Sequence, residues 1–278
     1  MLTGMTEVGT SELVKISQAW LSEEYAQVNS GQVRSSMESL RLVGDLIIAG
    51  GSFADIGCGT GEVAREMVRR GLTVYACDAS TSMVTATRRR CTGLAVQVEQ
   101  QDVNVLRLAA GTFTIVHSSW VLHWVIRAMD AVRSMARAVR PGGALVLQWS
   151  HSQPLAEGPG LLGAIHEVAA RPRWRDRLAA VPFTPQQHPI ANVAAVVASE
   201  GMEIVNQDTE LWPSAGGPTG SLDLAALRQQ VRLTGFAQQA AALGDDVDQF
   251  IEESVAAVVA ATGQVNPRDA RLIARRPR

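Results

Sequence analysis

Apolar residues recur along this chain in two periods that take turns. Short, mostly apolar runs at 52–56, 73–77, 95–99, 113–118 and 144–149 predict strands. Between them, 62–70, 81–90 and 127–139 carry apolar residues at steps of three and four, the period of a helix packed on one side. Pro141, Gly142 and Gly143 stop the last of these helices and turn the chain into its strand. Alternation at this spacing implies right-handed crossovers and a parallel sheet covered on both faces, an α/β doubly wound fold.

After Trp149 the rhythm loosens. Residues 151–160 read as a turn-rich connection, and 171–189 as an irregular stretch rich in proline and arginine. A helix is predicted over 190–200, ended by Gly201, and a strand over 202–211. Helical stretches at 222–243 and 247–262 and a short strand at 271–274 follow. The residues before about 49 are helical and amphipathic. The expected organisation is an N-terminal helical lid (1–49), a core (50–150), and helices and closing strands of the same domain (151–278).

Chemistry concentrates where the first strand ends. Asp55 is followed by Gly57, Gly59 and Gly61 at alternate positions, and then by a helix. Glycines this dense let the backbone approach a ligand closely, and the free N–H groups of the helix start point the same way. The dinucleotide fingerprint G-x-G-x-x-G places its third glycine one residue later. Asp78, at the tip of the second strand, is placed to accept hydrogen bonds from two ribose hydroxyls, or to cap the helix starting near Ser80.

The run from Asp55 to Gly61 resembles motif I of class I S-adenosylmethionine-dependent methyltransferases, written (D/E)-x-G-x-G-x-G, at every fixed position. The resemblance implies a Rossmann-like, mostly parallel seven-stranded sheet. It also implies S-adenosyl-L-methionine as cofactor and S-adenosyl-L-homocysteine as product. It puts Asp55, Gly57, Cys58, Gly59, Gly61, Asp78, Ala79 and Met83 around that cofactor. Asp102 and Val103 are expected at the adenine, and the backbone of His117 and Ser118 at the methionine portion. Phe113-Thr114 departs from the family's frequent Phe-Asp, at the far end of the fourth strand. The turn from Arg140 to Gly143 is also typical of the superfamily.

A narrower resemblance lies outside the core. Tyr25, Asn29, Gln32 and Arg34 are similar in spacing to the N-terminal segment of juvenile hormone acid methyltransferases. The run from Val121 to Val125 resembles their Leu-His-Trp-Val segment, of which the related trans-aconitate methyltransferases carry a Gln-Trp variant. This likeness implies that Gln32 and Trp124 hold a substrate carboxylate, with Tyr25 and Trp120 also at the substrate. A carboxylate is ionised at neutral pH and needs no general base, so neutral donors can orient it while leaving a lone pair free. Ser30-Gly31 offers a hinge by which Gln32 would close over the pocket.

Other readings stay open. Gln32 is equally an ordinary polar residue of an exposed helix, and Trp120 and Trp124, four apart, equally a packing pair. His123 would serve as a base if the acceptor were nitrogen, carbon or a phenolic oxygen, as in natural-product methylation. Trp20, Trp174 and Trp212 either line a pocket for a hydrophobic substrate or belong to the core.

Composition narrows the partners. In 278 residues, 46% hydrophobic and 19% charged with a net charge of -2, nothing argues for nucleic acid or an anionic membrane. The polar N-terminus has no apolar signal core, no run approaches a membrane span, and Cys58, Cys77 and Cys91 form no metal-spaced cluster. A cytoplasmic enzyme acting on a small molecule, without a metal, is the expectation. Oligomeric state is not readable.

Overall fold

In a computed structural model, residues 29–150, 161–179, 188–211, 242–260 and 269–278 are described, together with Ser22, Ala26, Arg228 and Gln239. Five strands form in chain order: β1 (Ser52–Ile56), β2 (Thr73–Asp78), β3 (Val96–Gln100), β4 (Phe113–Ser119) and β5 (Val139–Ser150). With β6 (Glu203–Leu211) and β7 (Asp269–Arg275) they make a seven-stranded sheet of order β3-β2-β1-β4-β5-β7-β6. Strands β1 to β5 pair in parallel, and β7 runs antiparallel to both its neighbours. The winding reverses between β1 and β4. At such a switch point the connections leave in opposite directions and a crevice opens at the carboxyl ends of the strands.

Eight helices flank the sheet among the described residues: α1 (Ser30–Arg41), α2 (Glu62–Arg69), α3 (Thr81–Arg90), α4 (Ala128–Ala138), α5 (Leu161–Ala169), α6 (Pro172–Leu178), α7 (Ile190–Ser199) and α8 (Val247–Ala260). Side chains alternate across each buried strand, so one strand feeds two cores. Val116, Leu145 and Leu147 face α4 and α7, packing with Val132, Met135 and Val193. Ile115, Ala144 and Val146 face the other way, against Leu40 of α1 and Met67 of α2. A third cluster joins α5, α6 and α8 around Trp174, which meets Phe250 edge-on at 5.5 Å and donates its indole N–H to Glu253 at 3.0 Å. Trp174 is therefore core.

Strand β1 and helix α3 match their predicted bounds, and β2 to β4 match to within one residue at each end. Two stretches differ. Pro172 does not break the chain but opens α6, because the first turn of a helix has no use for the missing N–H. Likewise Pro141 to Gly143 lie inside β5, which starts at Val139 directly after α4. A Cβ on Gly143 would stand 2.6 Å from the Thr114 carbonyl oxygen, so glycine lets β4 and β5 approach there. The predicted connection 151–160 and most of the predicted helix 222–243 lie outside the described residues, as do Trp20, Tyr25 and Trp212.

Helix α1 lies along the crevice because β5 holds it there. Gln148, fully buried, accepts from the Ser39 hydroxyl at 2.9 Å and donates to Ser35 Oγ at 2.6 Å. Ser30 and Gly31, expected as a hinge, form the first turn of this helix. No helix among the described residues is long and apolar enough to cross a membrane. Truncating Gln148 strands two serine hydroxyls against the sheet, each costing about 1–3 kcal/mol. Gln148→Ala is therefore expected to lower stability by about 2–4 kcal/mol in urea denaturation and to speed amide hydrogen exchange selectively in α1.

Candidate active site

The loop after β1 is shaped by hydrogen bonds to its neighbours. The Cys77 carbonyl accepts both Gly57 N–H (2.8 Å) and Cys58 N–H (2.9 Å), and Gly61 N–H returns to the Cys58 carbonyl at 3.0 Å. Gly57, Gly59 and Gly61 all take positive φ, a region open to glycine and costly for other residues. Two of the glycines also make room for the protein itself. A Cβ on Gly57 would lie 2.1 Å from Val121 Cγ2, and one on Gly61 would lie 2.8 Å from Thr87 Cγ2. Thr87 then donates its hydroxyl to the Gly59 carbonyl at 2.8 Å, tying the loop to α3. Close packing, as well as ligand approach, thus requires these glycines.

Asp78 organises the same loop. One carboxylate oxygen accepts Gly59 N–H at 3.0 Å and the other Ser80 N–H at 2.9 Å. Burial pushes its carboxyl up to about 6, against the pull of those two donors. Each oxygen retains a further lone pair, so the group remains able to take ribose hydroxyls. Ser80 rather than Asp78 caps α3, through Met83 N–H at 3.5 Å. Ala79 is half-buried, and its carbonyl accepts Gln100 Nε2 at 3.0 Å. At the end of β3, Asp102 caps its own 3-10 turn by accepting Asn104 N–H at 2.8 Å, and Val103 is buried in the core. Burial drives the Cys58 thiol well above its usual range and Cys77 to about 12, so neither is a ready nucleophile.

A cleft runs between this loop and α1. Among its lining residues are Gln32, Ser36, Asp55, Gly57, Cys58, Gly59, Glu62, His117, Ser119 and Trp120. Asn29, just before α1, reaches Thr60 Oγ1 at 3.2 Å, and Thr60 in turn donates to Glu62 at 2.7 Å. The cleft is open to solvent and its interior volume is about 50 Å³, room for a few waters. The structure therefore brings Gln32 and Trp120 together at the glycine loop. Trp120 holds φ at +65°, a strained value for a bulky residue and a mark of functional sites.

Trp124 and His123 do not line this cleft. They form a 3-10 turn, their rings 5.0 Å apart. His123 is buried, accepts Ser150 N–H at 3.4 Å, and is pushed down to about 3 by burial and by the charge of His188. Ser118 faces away from the cleft and donates to the Ile56 carbonyl at 2.9 Å, stapling β4 to β1. Among the described residues no cluster of His, Cys, Asp and Glu is arranged to hold a metal.

Three features lie outside the sequence-based expectations. Gln148 fixes α1, and its presence in a continuous apolar strand was a readable signal. Ser119 lies two residues after His117 on β4, hence on one face, and His117, expected at the cofactor only by its backbone, is in register with Asp55 of β1. Asp269, at the start of β7 and in register with Ser150, is a buried carboxyl pushed up to about 8 by desolvation. Among the described residues six buried side-chain atoms have no hydrogen-bond partner, and two of them, Asp55 Oδ2 and Trp120 Nε1, belong to residues that line the cleft. Unsatisfied buried polar atoms are rare, and two of them in one cleft fit a site completed by a polar ligand.

Residues 54–147 match the family described as "Methyltransferase domain". The "Ubiquinone biosynthesis O-methyltransferase" of Xanthomonas oryzae pv. oryzae (strain PXO99A) is 32% identical over 131 residues, 46% of this chain and 55% of that protein. The "Malonyl-[acyl-carrier protein] O-methyltransferase" of Enterobacter lignolyticus is 32% identical over 123 residues, 44% of this chain and 48% of its own length. The chain thus spans about half the length of the curated relatives it matches. The magnesium protoporphyrin IX methyltransferase of Synechocystis PCC 6803, solved with bound SAH, shares the fold with TM-score 0.53 and 14% identity, over 98% of this chain and 90% of that one.

Gly57→Ala is expected to destabilise the protein by about 2–4 kcal/mol in denaturant titrations, from the clash and the positive φ together. Adding Val121→Ala should restore part of that loss by removing the obstructing γ-methyl; a strictly additive pair would contradict it. For Asp269 the sign is set by a folded carboxyl raised above its unfolded value. The folded state holds the proton longer, so stability falls as pH rises through the interval from about 4 to about 8. Asp269→Asn should remove that fall, seen as a flatter melting-temperature profile from about pH 5 to about pH 9.

Proposed function

With residues 54–147 a methyltransferase domain of the S-adenosyl-L-methionine-dependent class, we propose that the whole protein methylates an oxygen of a small molecule, with a carboxylate as the acceptor. When bound, the cofactor supplies a methyl carbon made electrophilic by its sulfonium. The glycine loop, Asp78 and the turn at Asp102 are the residues that would hold it. The lining favours a ligand with a cationic end, because it includes the Asp55 carboxylate, with Glu62 already paired to Arg90 at 2.8 Å, and no lysine or arginine.

The observation that carries the carboxylate reading is Gln32 over the glycine loop, on a helix pinned by Gln148. Its amide N–H orients an anionic oxygen without the tight hold of a guanidinium, which would blunt the nucleophile. The Trp120 indole N–H, buried and unpartnered, is the second neutral donor in this proposal. Trp124 stands off the cleft and enters the reading only as support for the turn it shares with His123. An acid acceptor brings no proton to remove, so the depressed, off-cleft His123 is not required. Helix α1 borders the cleft above the loop, and a ligand that displaces its water would strengthen the polar contacts there. Soluble-acid specificity would then be set by the segments beyond β5.

A panel of small carboxylic acids incubated with methyl-labelled cofactor is expected to yield methyl esters. Gln32→Ala should lower kcat/KM for the best acid by about 10- to 100-fold, mostly in kcat. Absence of ester from every acid, with intact cofactor binding, would overturn the carboxylate assignment.

A further inference from the structure

A carboxylate acceptor leaves one part of the cleft without a task. His117 and Asp55 are each 2% exposed, and His117 Nδ1 lies 2.8 Å from Asp55 Oδ1. Its other nitrogen, Nε2, lies 2.7 Å from Ser119 Oγ, and both His117 and Ser119 line the cleft beside Gly57 and Gly59. Phe53 stacks on the imidazole at 5.8 Å with 24° between the rings, fixing its plane. The strand register that sets Asp55 opposite His117 makes this a built arrangement rather than a chance meeting of side chains.

We propose that Asp55, His117 and Ser119 form a proton-accepting relay that allows the same cleft to methylate a phenolic or enolic hydroxyl. This goes beyond the carboxylate reading and rests only on the methyltransferase domain. The hydrogen-bond directions follow from chemistry. An ionised carboxylate only accepts, so the proton sits on His117 Nδ1 and Nε2 is the acceptor. Ser119 must then donate to Nε2, which leaves its oxygen lone pairs to receive a hydroxyl proton from the cleft. As the new O–CH3 bond forms and the S–CH3 bond breaks, the electron pair stays on sulfur as a neutral thioether. The acceptor proton passes to Ser119 Oγ while the serine proton passes to His117 Nε2. Asp55 stabilises the imidazolium, which returns its proton to water after product leaves. A phenol or enol is the matching class, because an aliphatic alcohol is too weak an acid for an imidazole to assist usefully.

Ser119 is the catalytic residue of this relay, and His117 and Asp55 act through it. The charged or titratable groups around His117 are Asp55 on β1 and, in the shared cleft, Cys58 of the loop and Glu62 at the start of α2, the latter paired with Arg90 of α3 at 2.8 Å, with Asp78 behind Gly59. From α1 the lining brings only the neutral Gln32, Val33 and Ser36. The full chain should be assayed with labelled cofactor against phenols and carboxylic acids in parallel, across pH. Methyl ethers are expected, with a rate that climbs with pH to a plateau, while any ester formation stays flat. Ser119→Ala should lower the ratio of hydroxyl to carboxylate transfer by about 10²-fold. His117→Gln should abolish the pH step, and Ser119→Thr, which keeps a hydroxyl, should restore the ratio. Titration with S-adenosylhomocysteine checks that each variant is folded. No ether from any phenol, a ratio unchanged in Ser119→Ala, or a pH step surviving in His117→Gln would each overturn the relay. Missing esters alone would count only against the carboxylate assignment.

Discussion

The crevice depends on a single carbonyl. Cys77, the penultimate residue of β2, accepts two consecutive N–H groups from the loop that leaves β1. Each bond is worth only about 1 kcal/mol net, yet together they dictate where the chain turns relative to the neighbouring strand. That turn brings Gly59 N–H onto Asp78, the residue after Cys77, and sets Gly57 against Val121. The positive φ values of the three glycines follow from the same bend. A strand-to-helix junction that could have been loose is fixed from β2, from α3 through Thr87, and from the residue before α1 through Asn29 and Thr60.

Around that loop the protein divides its polar groups by direction. On β4, Ser118 turns toward β1 and staples the strands, whereas His117 and Ser119 turn toward the cleft. One face serves stability and the other is free for chemistry, as the two-residue strand period demands. Trp120 follows with a strained backbone, secured by its N–H bond to the Gln148 carbonyl at 2.9 Å. Strain of order 1–3 kcal/mol survives only where the surroundings over-determine it. Here buried β5 supplies that support.

Most of the fold was legible because each signal had a local cause. Helix α3 was readable at both ends from its apolar spacing, although its cap is Ser80 and not Asp78. Strand β1 was bounded by glycines. Helix α6 was missed because Pro172 reads as a breaker until its position at the start of a turn is known. The candidate site was legible where backbone chemistry shapes it, at the glycine loop and Asp78. It was opaque where side chains meet across the sheet. The link between Asp55 and His117 is a matter of register, which no local pattern contains, and ending β4 one residue early hid Ser119. Trp124 had a family spacing in its favour, but the strained turn at Trp120 presents the earlier tryptophan to the cleft. Asp269 follows a stretch interrupted by Gly263 and Pro267 and precedes the predicted strand 271–274, so no periodic context marked it.

Gln148 has two ends with different dependents. Its side chain grips Ser35 and Ser39, and its carbonyl secures the strained Trp120. The cover of the cleft and one of its walls are thus soldered to the same strand residue. Anyone transplanting the acceptor preference of this scaffold into another would have to move positions 35, 39, 120 and 148 as a single cassette, since exchanging the roof without its rivet leaves the wall unsupported.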